Sequence, residues 1–394
     1  MLADRVSHIK PAPTLALTAK VNQLKARGED IIGFGAGEPD FDTPNFIKEA
    51  CIRALKEGKT KYAPSAGILP LREAISEKLL RENHVEYSPS EIVVTAGAKM
   101  ALFLVMMATL QEGDEVLLPS PYWVTYPEQI LLCGAKVVEV PLKEEEGFLL
   151  RAESLKSYIT PRTKMLILNS PSNPTGAVVP EEEQRKIAEL CVERNILLVS
   201  DECYEAFLYD GETFVSPASF SKEVREITFT VNAFSKSYSM TGWRVGYVAC
   251  PQRYAKVLAD LNSQSISNAT TFAQYGALEA LKNPLSKEFV ESMRKAFQER
   301  REVAYGLLRE VPHLSVVKPK GAFYIFPNLR HYSDRLGSDL KLADYLIEQG
   351  KVAVVPGSAF GAQGYVRLSY CLPEDAIREG IRRLKEALLR LEGV

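Results

Sequence analysis

Between Tyr87 and Pro251, short runs of apolar and β-branched residues alternate with longer stretches in which apolar residues recur at helical spacing. Several of the short runs are apolar at every position, which is typical of strands covered on both faces. Strands that alternate with helices predict a mostly parallel α/β sheet. The seven runs expected to form it are Ile92–Thr95, Glu115–Pro119, Lys136–Val140, Met165–Asn169, Ile196–Ser200, Ile227–Val231 and Val245–Ala249.

Two stretches, Glu181–Arg194 and Pro373–Leu391, show the apolar stripe of amphipathic helices. The pattern changes after about residue 290, where Glu291–Arg309 is expected to be a long charged helix. Short strand-like runs follow at Ser315–Val317, Ala322–Phe326, Val352–Val355 and Val366–Ser369. Because 394 residues exceed what one hydrophobic core usually serves, we predict two domains: a large one over residues 41–290, and a smaller α+β domain formed by residues 1–40 and 291–394.

Composition and charge exclude several classes of protein. The formal net charge of −2 offers no basic excess for a nucleic acid or an anionic membrane, and the longest apolar run, Met100–Leu110, is shorter than the about 20 residues a bilayer-spanning helix needs. Six scattered cysteines form no CxxC pair and have no histidine at metal-ligand spacing, so we expect no metal site and a cytoplasmic location. The pair Arg300-Arg301 is expected on a solvated helix face.

In an open α/β sheet, ligands bind beyond the carboxyl ends of the strands, so the residues after each predicted strand are the first candidates for a site. Gly97-Ala98-Lys99 follows one strand and opens a helix, where small residues and free N–H groups can hold a phosphate. A plain tight turn explains this stretch equally well. Asn173 lies between two prolines that stiffen its loop, which suits an amide that holds a phenolic oxygen or a carboxylate; an ordinary turn uses similar residue pairs.

Three charged residues follow two further strands. Asp201, with Tyr204 nearby, ends an apolar strand, where a carboxylate is costly to desolvate unless it faces a cation; a helix N-cap is the alternative explanation. Lys236 stands where partial desolvation would lower its pKa and free the amine to attack an aldehyde, although most lysines are solvated surface charges. Arg244 can bind phosphate oxygens bidentately. Taken together, these groups supply what an aldehyde-bearing pyridine phosphate requires.

At this point the sequence resembles the class I aminotransferases of fold type I, in particular the aspartate/prephenate aminotransferase branch. The similarity runs through most of the chain, from Ile9-Lys10-Pro11 to Val366-Arg367-Leu368-Ser369-Tyr370. Its most specific motifs are Asn-Pro-Thr-Gly at 173–176 and Ser-Lys-Ser-Tyr-Ser-Met-Thr-Gly-Trp-Arg at 235–244. The resemblance implies a fold type I transferase that depends on pyridoxal 5'-phosphate, with a mostly parallel seven-stranded sheet in its large domain.

The resemblance also implies roles for individual residues around the cofactor. Lys236 matches the Schiff-base lysine that later moves the proton, and Asp201 matches the carboxylate that keeps the pyridine nitrogen protonated. Tyr204 and Asn173 match the pair on the ring oxygen, and Trp123 matches the aromatic that stacks on the ring. The phosphate site is matched by Gly97, Ala98, Lys99 and Arg244.

Substrate binding and assembly follow from the same resemblance. Arg367 and Gly37 match the groups that hold the substrate α-carboxylate, and Trp123 and Asn173 border the same space. Tyr62 resembles the tyrosine that reaches the phosphate of a neighbouring subunit, which implies a homodimer with shared active sites. The implied partners are amino acids, with aspartate or glutamate expected first, and 2-oxo acids.

Two departures and several alternatives remain open. Many relatives carry serine where this chain has Ala233, and Ser235 could replace the missing hydroxyl. No residue for a side-chain carboxylate is evident, so prephenate, aromatic or kynurenine aminotransferases, or a C–S β-lyase on the same scaffold, are the alternatives. A nucleotide-binding fold is disfavoured, because Glu38 stands where the third glycine of the Gly33–Gly37 run would be needed.

Overall fold

The computed structural model describes residues 6–7, 9–11 and 13–393, and its elements are numbered here in chain order. The strands are β1 (Ile32–Gly33), β2 (Ile92–Thr95), β3 (Glu115–Ser120), β4 (Lys136–Pro141), β5 (Thr163–Asn169), β6 (Leu197–Asp201), β7 (Thr228–Ala233), β8 (Gly246–Ala249), β9 (Tyr324–Ile325), β10 (Val352–Ala353), β11 (Val355–Pro356) and β12 (Val366–Ser369). The helices are α1 (Pro13–Ala26), α2 (Asn45–Lys56), α3 (Leu69–Asn83), α4 (Ala98–Thr109), α5 (Thr125–Leu132), α6 (Ala152–Lys156), α7 (Glu181–Glu193), α8 (Lys222–Ile227), α9 (Phe234–Ser237), α10 (Gln252–Ile266), α11 (Thr271–Lys282), α12 (Leu285–Leu308), α13 (Arg330–Leu336), α14 (Asp339–Gly350) and α15 (Glu374–Glu392). None of the helices in this described part of the chain has the length and apolarity needed to cross a membrane.

A seven-stranded sheet in the order β2-β8-β7-β6-β5-β3-β4 forms the centre of the fold. All neighbouring strands pair in parallel except β8, which is antiparallel to both β2 and β7. The mostly parallel sheet expected from the sequence is therefore confirmed, and each predicted strand end lies within two residues of the observed one.

The continuous apolar strands are buried on both faces, as their composition predicts. Val116 and Val199 point into a core that includes residues of α4 and α10, whereas the adjacent Leu117 and Leu198 point into a second core with α7. Each such side chain contributes about 1.5–3 kcal/mol when it is fully buried. Because helices cover both faces, the open edge at the strands' carboxyl ends is left for ligands.

The C-terminal part of the chain builds two smaller sheets. β1, from the N-terminal segment, pairs in parallel with β10, and β11-β12-β9 form an antiparallel sheet. The predicted strand 352–355 is thus divided between two sheets. The predicted strand 315–317 is wrong, because only Ser315 forms a bridge, to Asn328. α12 runs without a break across residue 291, and the two-domain division stays a prediction.

The expectation that Arg300 and Arg301 lie on a solvated face is wrong. Arg301 is fully buried and donates to both carboxylate oxygens of Asp210 at 2.8 Å. Helical periodicity explains the burial, since Phe297 and Ala304, four residues before and three after, are both in the core. The Arg300 side chain is only 14% exposed. The charge of Arg301 is tolerated inside because it is paired.

Candidate active site

A cavity of about 320 Å³ lies at the carboxyl ends of β5, β6 and β7. It collects most of the residues predicted from the sequence: Gly37, Ala98, Lys99, Trp123, Asn173, Asp201, Tyr204, Lys236, Arg244 and Arg367. A larger cavity of about 620 Å³ lies beside it but is lined by none of these residues, so we place the candidate site in the smaller one. Tyr62 is 89% exposed and does not line the site of its own chain.

Lys236 reaches the cavity from α9, the short helix that follows β7 directly. Its amine donates a hydrogen bond to the Gly37 carbonyl oxygen at 2.6 Å. Burial lowers the pKa of Lys236 below the ordinary lysine value of 10.5, because a desolvated ammonium is disfavoured. A fraction of free amine is therefore available at a lower pH than for a surface lysine, which is what a nucleophile requires.

Asp201 ends β6 and is buried, with 5% of its surface exposed. Tyr126 donates its hydroxyl to Asp201 Oδ2 at 2.6 Å, and the Cys203 backbone N–H donates to Oδ1 at 3.2 Å. Burial raises the pKa of Asp201, and these two hydrogen bonds oppose the rise. No helix begins after Asp201, so the N-cap explanation does not apply. A cation in the cavity would offset the desolvation cost.

Tyr204 and Asn173 meet at the wall of the cavity. The Asn173 side-chain amide donates to the Tyr204 hydroxyl at 3.4 Å, and the Tyr204 and Tyr324 hydroxyls are 2.9 Å apart. The peptide bonds before Pro171 and Pro174, on either side of Asn173, are both cis. Tyr324 and Tyr126 were not predicted from the sequence.

Arg367 extends from β12 into the same cavity and is 1% exposed. Its Nη1 donates to Asn173 Oδ1 at 3.0 Å and its Nη2 donates to the Gly35 carbonyl at 2.9 Å, while the guanidinium stacks over Tyr324 at 4.4 Å. Its buried Nε has no hydrogen-bond partner, and no described carboxylate forms an ion pair with it. Since an unpaired buried charge is costly, the guanidinium is suited to receive an anion from outside the chain.

A second anion site is formed where β2 leads into α4. Gly97 has φ +78°, and a Cβ there would lie 2.4 Å from Nη2 of Arg244, so only glycine lets the guanidinium approach this turn. Ala98 and Lys99 are the first two residues of α4, so their N–H groups have no carbonyl to donate to within the helix, and such groups suit an anion. Ser235, which was considered as a replacement for a hydroxyl at Ala233, also lines the cavity. A phosphate fits this cradle.

Trp123 and Lys99 form the remaining wall. The Lys99 amine lies 5.2 Å from the centre of the Trp123 ring, and Trp123 packs edge-on against Tyr126. Burial, with a smaller effect of Arg244, lowers the pKa of Lys99. Lys99 thus adds a cation to the cavity besides Arg244, Lys236 and Arg367.

A buried polar network supports the strands behind the site. Lys78 on α3 donates to Asn83 Oδ1 at 2.7 Å and forms an ion pair with Glu205. Glu205 also accepts hydrogen bonds from Asn83 at 2.8 Å and Asn232 at 2.7 Å, and Asn232 Oδ1 accepts from the Ala233 N–H at 2.7 Å. The network therefore fixes the turn after β6 and the end of β7 to the same helix.

The fold and the side chains at this edge are those of an α/β enzyme that works on amino groups. The family model for aminotransferases of class I and II matches residues 29–384. A probable aspartate/prephenate aminotransferase of Aquifex aeolicus is 70% identical over 98% of both chains, and an aspartate aminotransferase of Bacillus subtilis is 48% identical over 98% of both. The solved aspartate aminotransferase of Thermus thermophilus with maleate is 46% identical, has a TM-score of 0.94 and aligns over 98% of this chain and 99% of its own. The chain belongs to the class I and II aminotransferase family and has its fold type I architecture.

Proposed function

We propose that this aminotransferase uses pyridoxal 5'-phosphate to move the amino group of aspartate or glutamate to a 2-oxo acid by a ping-pong mechanism. The observation that carries the proposal is the unpaired, buried guanidinium of Arg367 in the same cavity as the Lys236 amine. An amino acid brings the carboxylate that the guanidinium lacks, together with an amine that would compete with that of Lys236 for the cofactor's aldehyde.

The cavity fits the cofactor. Pyridoxal 5'-phosphate supplies an aldehyde that condenses with amines and a ring that accepts electrons. Lys236 would hold the aldehyde carbon, and Asp201 would pair with the protonated ring nitrogen, which supplies the cation that this buried carboxylate needs.

The other contacts to the cofactor come from the walls of the cavity. The cradle formed by Gly97, Ala98, the Lys99 backbone and Arg244 would hold the phosphate, as the Cβ clash at Gly97 supports. Tyr204 and Asn173 would donate to the ring oxygen, and Trp123 would cover one face of the ring.

Substrate binding and proton transfer fall to three residues. Arg367, together with Gly37, would hold the α-carboxylate and so orient the Cα–H bond toward Lys236; a Cβ on Gly37 would lie 3.9 Å from Arg367 Nη2, so the two positions are adjacent. The free Lys236 amine would then accept the Cα proton and return it later. A general base must have a pKa near the working pH, which the lowered pKa of Lys236 favours.

The choice of an acidic substrate rests on the relatives and on Lys99. The Thermus thermophilus enzyme was solved with maleate, a dicarboxylate like aspartate. In this chain, Arg367, Arg244 and Lys236 are already committed to other groups, which leaves the side chain of Lys99 beside Trp123 as the cation for a second carboxylate. The Aquifex aeolicus relative is named for prephenate as well, so prephenate is the second acceptor to test. Free thiols at all six cysteines agree with a cytoplasmic enzyme.

A substrate panel tests this function. The holoenzyme is assayed with aspartate, glutamate, kynurenine, alanine and phenylalanine as donors, with 2-oxoglutarate, oxaloacetate and prephenate as acceptors, and with cystathionine for C–S cleavage. We expect aspartate with 2-oxoglutarate to give the highest kcat/KM and Lys236→Ala to abolish turnover. Faster cleavage of cystathionine than any amino transfer would instead establish the β-lyase.

We further propose a homodimer in which Tyr62 reaches the phosphate site of the partner. The support is its 89% exposure and its absence from the cavity of its own chain. Hybrid dimers of a Lys236→Ala chain and a Tyr62→Ala chain should regain one intact site, because one chain supplies the lysine and the other the tyrosine. A mixture with no more activity than the two variants measured separately would contradict the shared site.

A further inference from the structure

Two histidines and a glutamate from three different segments of the chain meet outside the active-site cavity. His313 follows α12, His331 is in the first turn of α13, and Glu392 is the last residue of α15. None of the three lines the cavity that holds Lys236. The chain has only four histidines, so the contact between two of them at one place calls for an explanation.

The three side chains converge closely. The rings of His313 and His331 stack with their centres 4.2 Å apart, and His331 Nε2 lies 2.7 Å from Glu392 Oε1. One ligand atom from each residue lies within 4.8 Å of the others, the only such group of three among the residues that the structure describes. A tetrahedral zinc ion, about 2.0–2.2 Å from each donor, would hold them roughly 3–3.5 Å apart. The His313 side chain is exposed and can rotate out of the stack toward the other two donors. Zinc would replace the hydrogen bond between His331 Nε2 and Glu392 Oε1, and these two atoms would move apart from 2.7 Å.

Arg335 orients the Glu392 carboxylate from the side away from His331. Arg335 lies 3.1 Å from Glu392 Oε2 and donates to the Leu391 carbonyl at 3.3 Å. This contact occupies one carboxylate oxygen, while the other, Oε1, contacts His331. An outer contact that fixes a ligating carboxylate is a common feature of metal sites.

We propose that His313, His331 and Glu392 bind one zinc ion. Two imidazoles and one carboxylate are a donor set that zinc accepts, with a fourth position open to water. The ion would fasten the end of α15 to α13 and to the segment after α12, so it would stabilise the C-terminal part of the fold and take no part in amino transfer. Sequence spacing gave no sign of the site, because its ligands come from separate elements.

Titration of Zn²⁺ into the untagged holoenzyme, followed by calorimetry, tests the proposal. His313→Asn removes the imidazole while tolerating the positive φ of 56° at this position, and His84→Asn is the matched control, with the same change at the same φ elsewhere on the chain. Glu392→Gln tests the carboxylate without loss of size.

We expect wild type and His84→Asn to bind one Zn²⁺ per chain with equal affinity and to gain thermal stability. His313→Asn and Glu392→Gln should bind at least about tenfold more weakly and lose the gain. Absence of saturable binding by the wild type, or unchanged binding by His313→Asn, would overturn the proposal. Unchanged binding would assign the ion to other groups, such as the half-buried thiols of Cys51 and Cys133.

Discussion

Replacement of Arg367 by lysine tests how the substrate carboxylate is held. The guanidinium has five N–H donors, and the oxygens of Asn173 and Gly35 use two of them, which leaves three for an incoming carboxylate. A lysine ammonium has three donors. If two of them satisfy the same buried oxygens, only one is left, so the substrate exchanges a bidentate contact for a single one.

The expected loss follows from that missing contact. A hydrogen bond to a charged group contributes about 1.5–3 kcal/mol. Since each 1.36 kcal/mol is a factor of ten in rate, kcat/KM for aspartate should fall by about 10- to 150-fold in Arg367→Lys. Cofactor content should be unchanged, because no phosphate or ring contact is lost.

The assay couples formation of oxaloacetate from aspartate to oxidation of NADH. A half-reaction with an amine that lacks a carboxylate serves as the internal reference, since its rate should be nearly the same in wild type and variant. Arg301→Lys is the matched control, because Arg301 is equally buried but lies outside the cavity. It should lower the free energy of unfolding and leave kcat/KM of the folded enzyme intact. Equal losses for aspartate and the simple amine would refute the reasoning.

Three further predictions concern the groups around this contact. Tyr126→Phe removes a donor that lowers the pKa of Asp201, so that pKa should rise further, the acid limb of the kcat profile should move to higher pH, and kcat should fall by about tenfold. Because burial lowers the pKa of Lys236, the rate at which the apoenzyme combines with pyridoxal phosphate should rise with pH through a midpoint below 10.5, as followed by visible absorbance. Lys78→Met leaves the mostly buried carboxylate of Glu205 without its ion pair and should lower the free energy of unfolding by about 3 kcal/mol in urea titrations.

Each of these three predictions can be contradicted by a specific result. An unmoved acid limb in Tyr126→Phe would show that its hydroxyl does not act on the carboxylate. A midpoint at or above 10.5 would mean that Lys236 is not desolvated. For Lys78→Met, the control is Lys48→Met, which breaks an exposed pair with Asp42 and should cost no more than about 1 kcal/mol. Equal costs in the two variants would contradict the buried network.

The sequence predicted the location of those site residues that directly follow a strand of the central sheet. Continuous apolar runs marked strands covered on both faces, and the carboxyl ends of those strands had to share one edge. Asn173, Asp201 and Lys236 follow three such strands, and the structure brings them to one cavity. Their location was therefore predictable from chain order. Their chemical roles came from the resemblance and await experiment.

Contacts between unrelated elements were not predictable. Tyr126 comes from α5 and Tyr324 from β9, and nothing in their spacing separates them from aromatic residues of the core. The one available sign was that Tyr126 stands three residues after Trp123. Arg301 was assigned to the surface by its charge, although the phase of α12 turns it inward with Phe297. For the burial of Arg301, helical periodicity would have been a better predictor than the charge of the side chain.

Reduction with borohydride in the presence of pyridoxal phosphate, followed by peptide mass spectrometry, tests the central claim most directly. If the half-buried Lys236 amine is the group that binds the cofactor, one pyridoxyl group per chain should be found on Lys236, and Lys236→Ala should carry none. A label on another lysine, or one spread over surface lysines, would contradict the account.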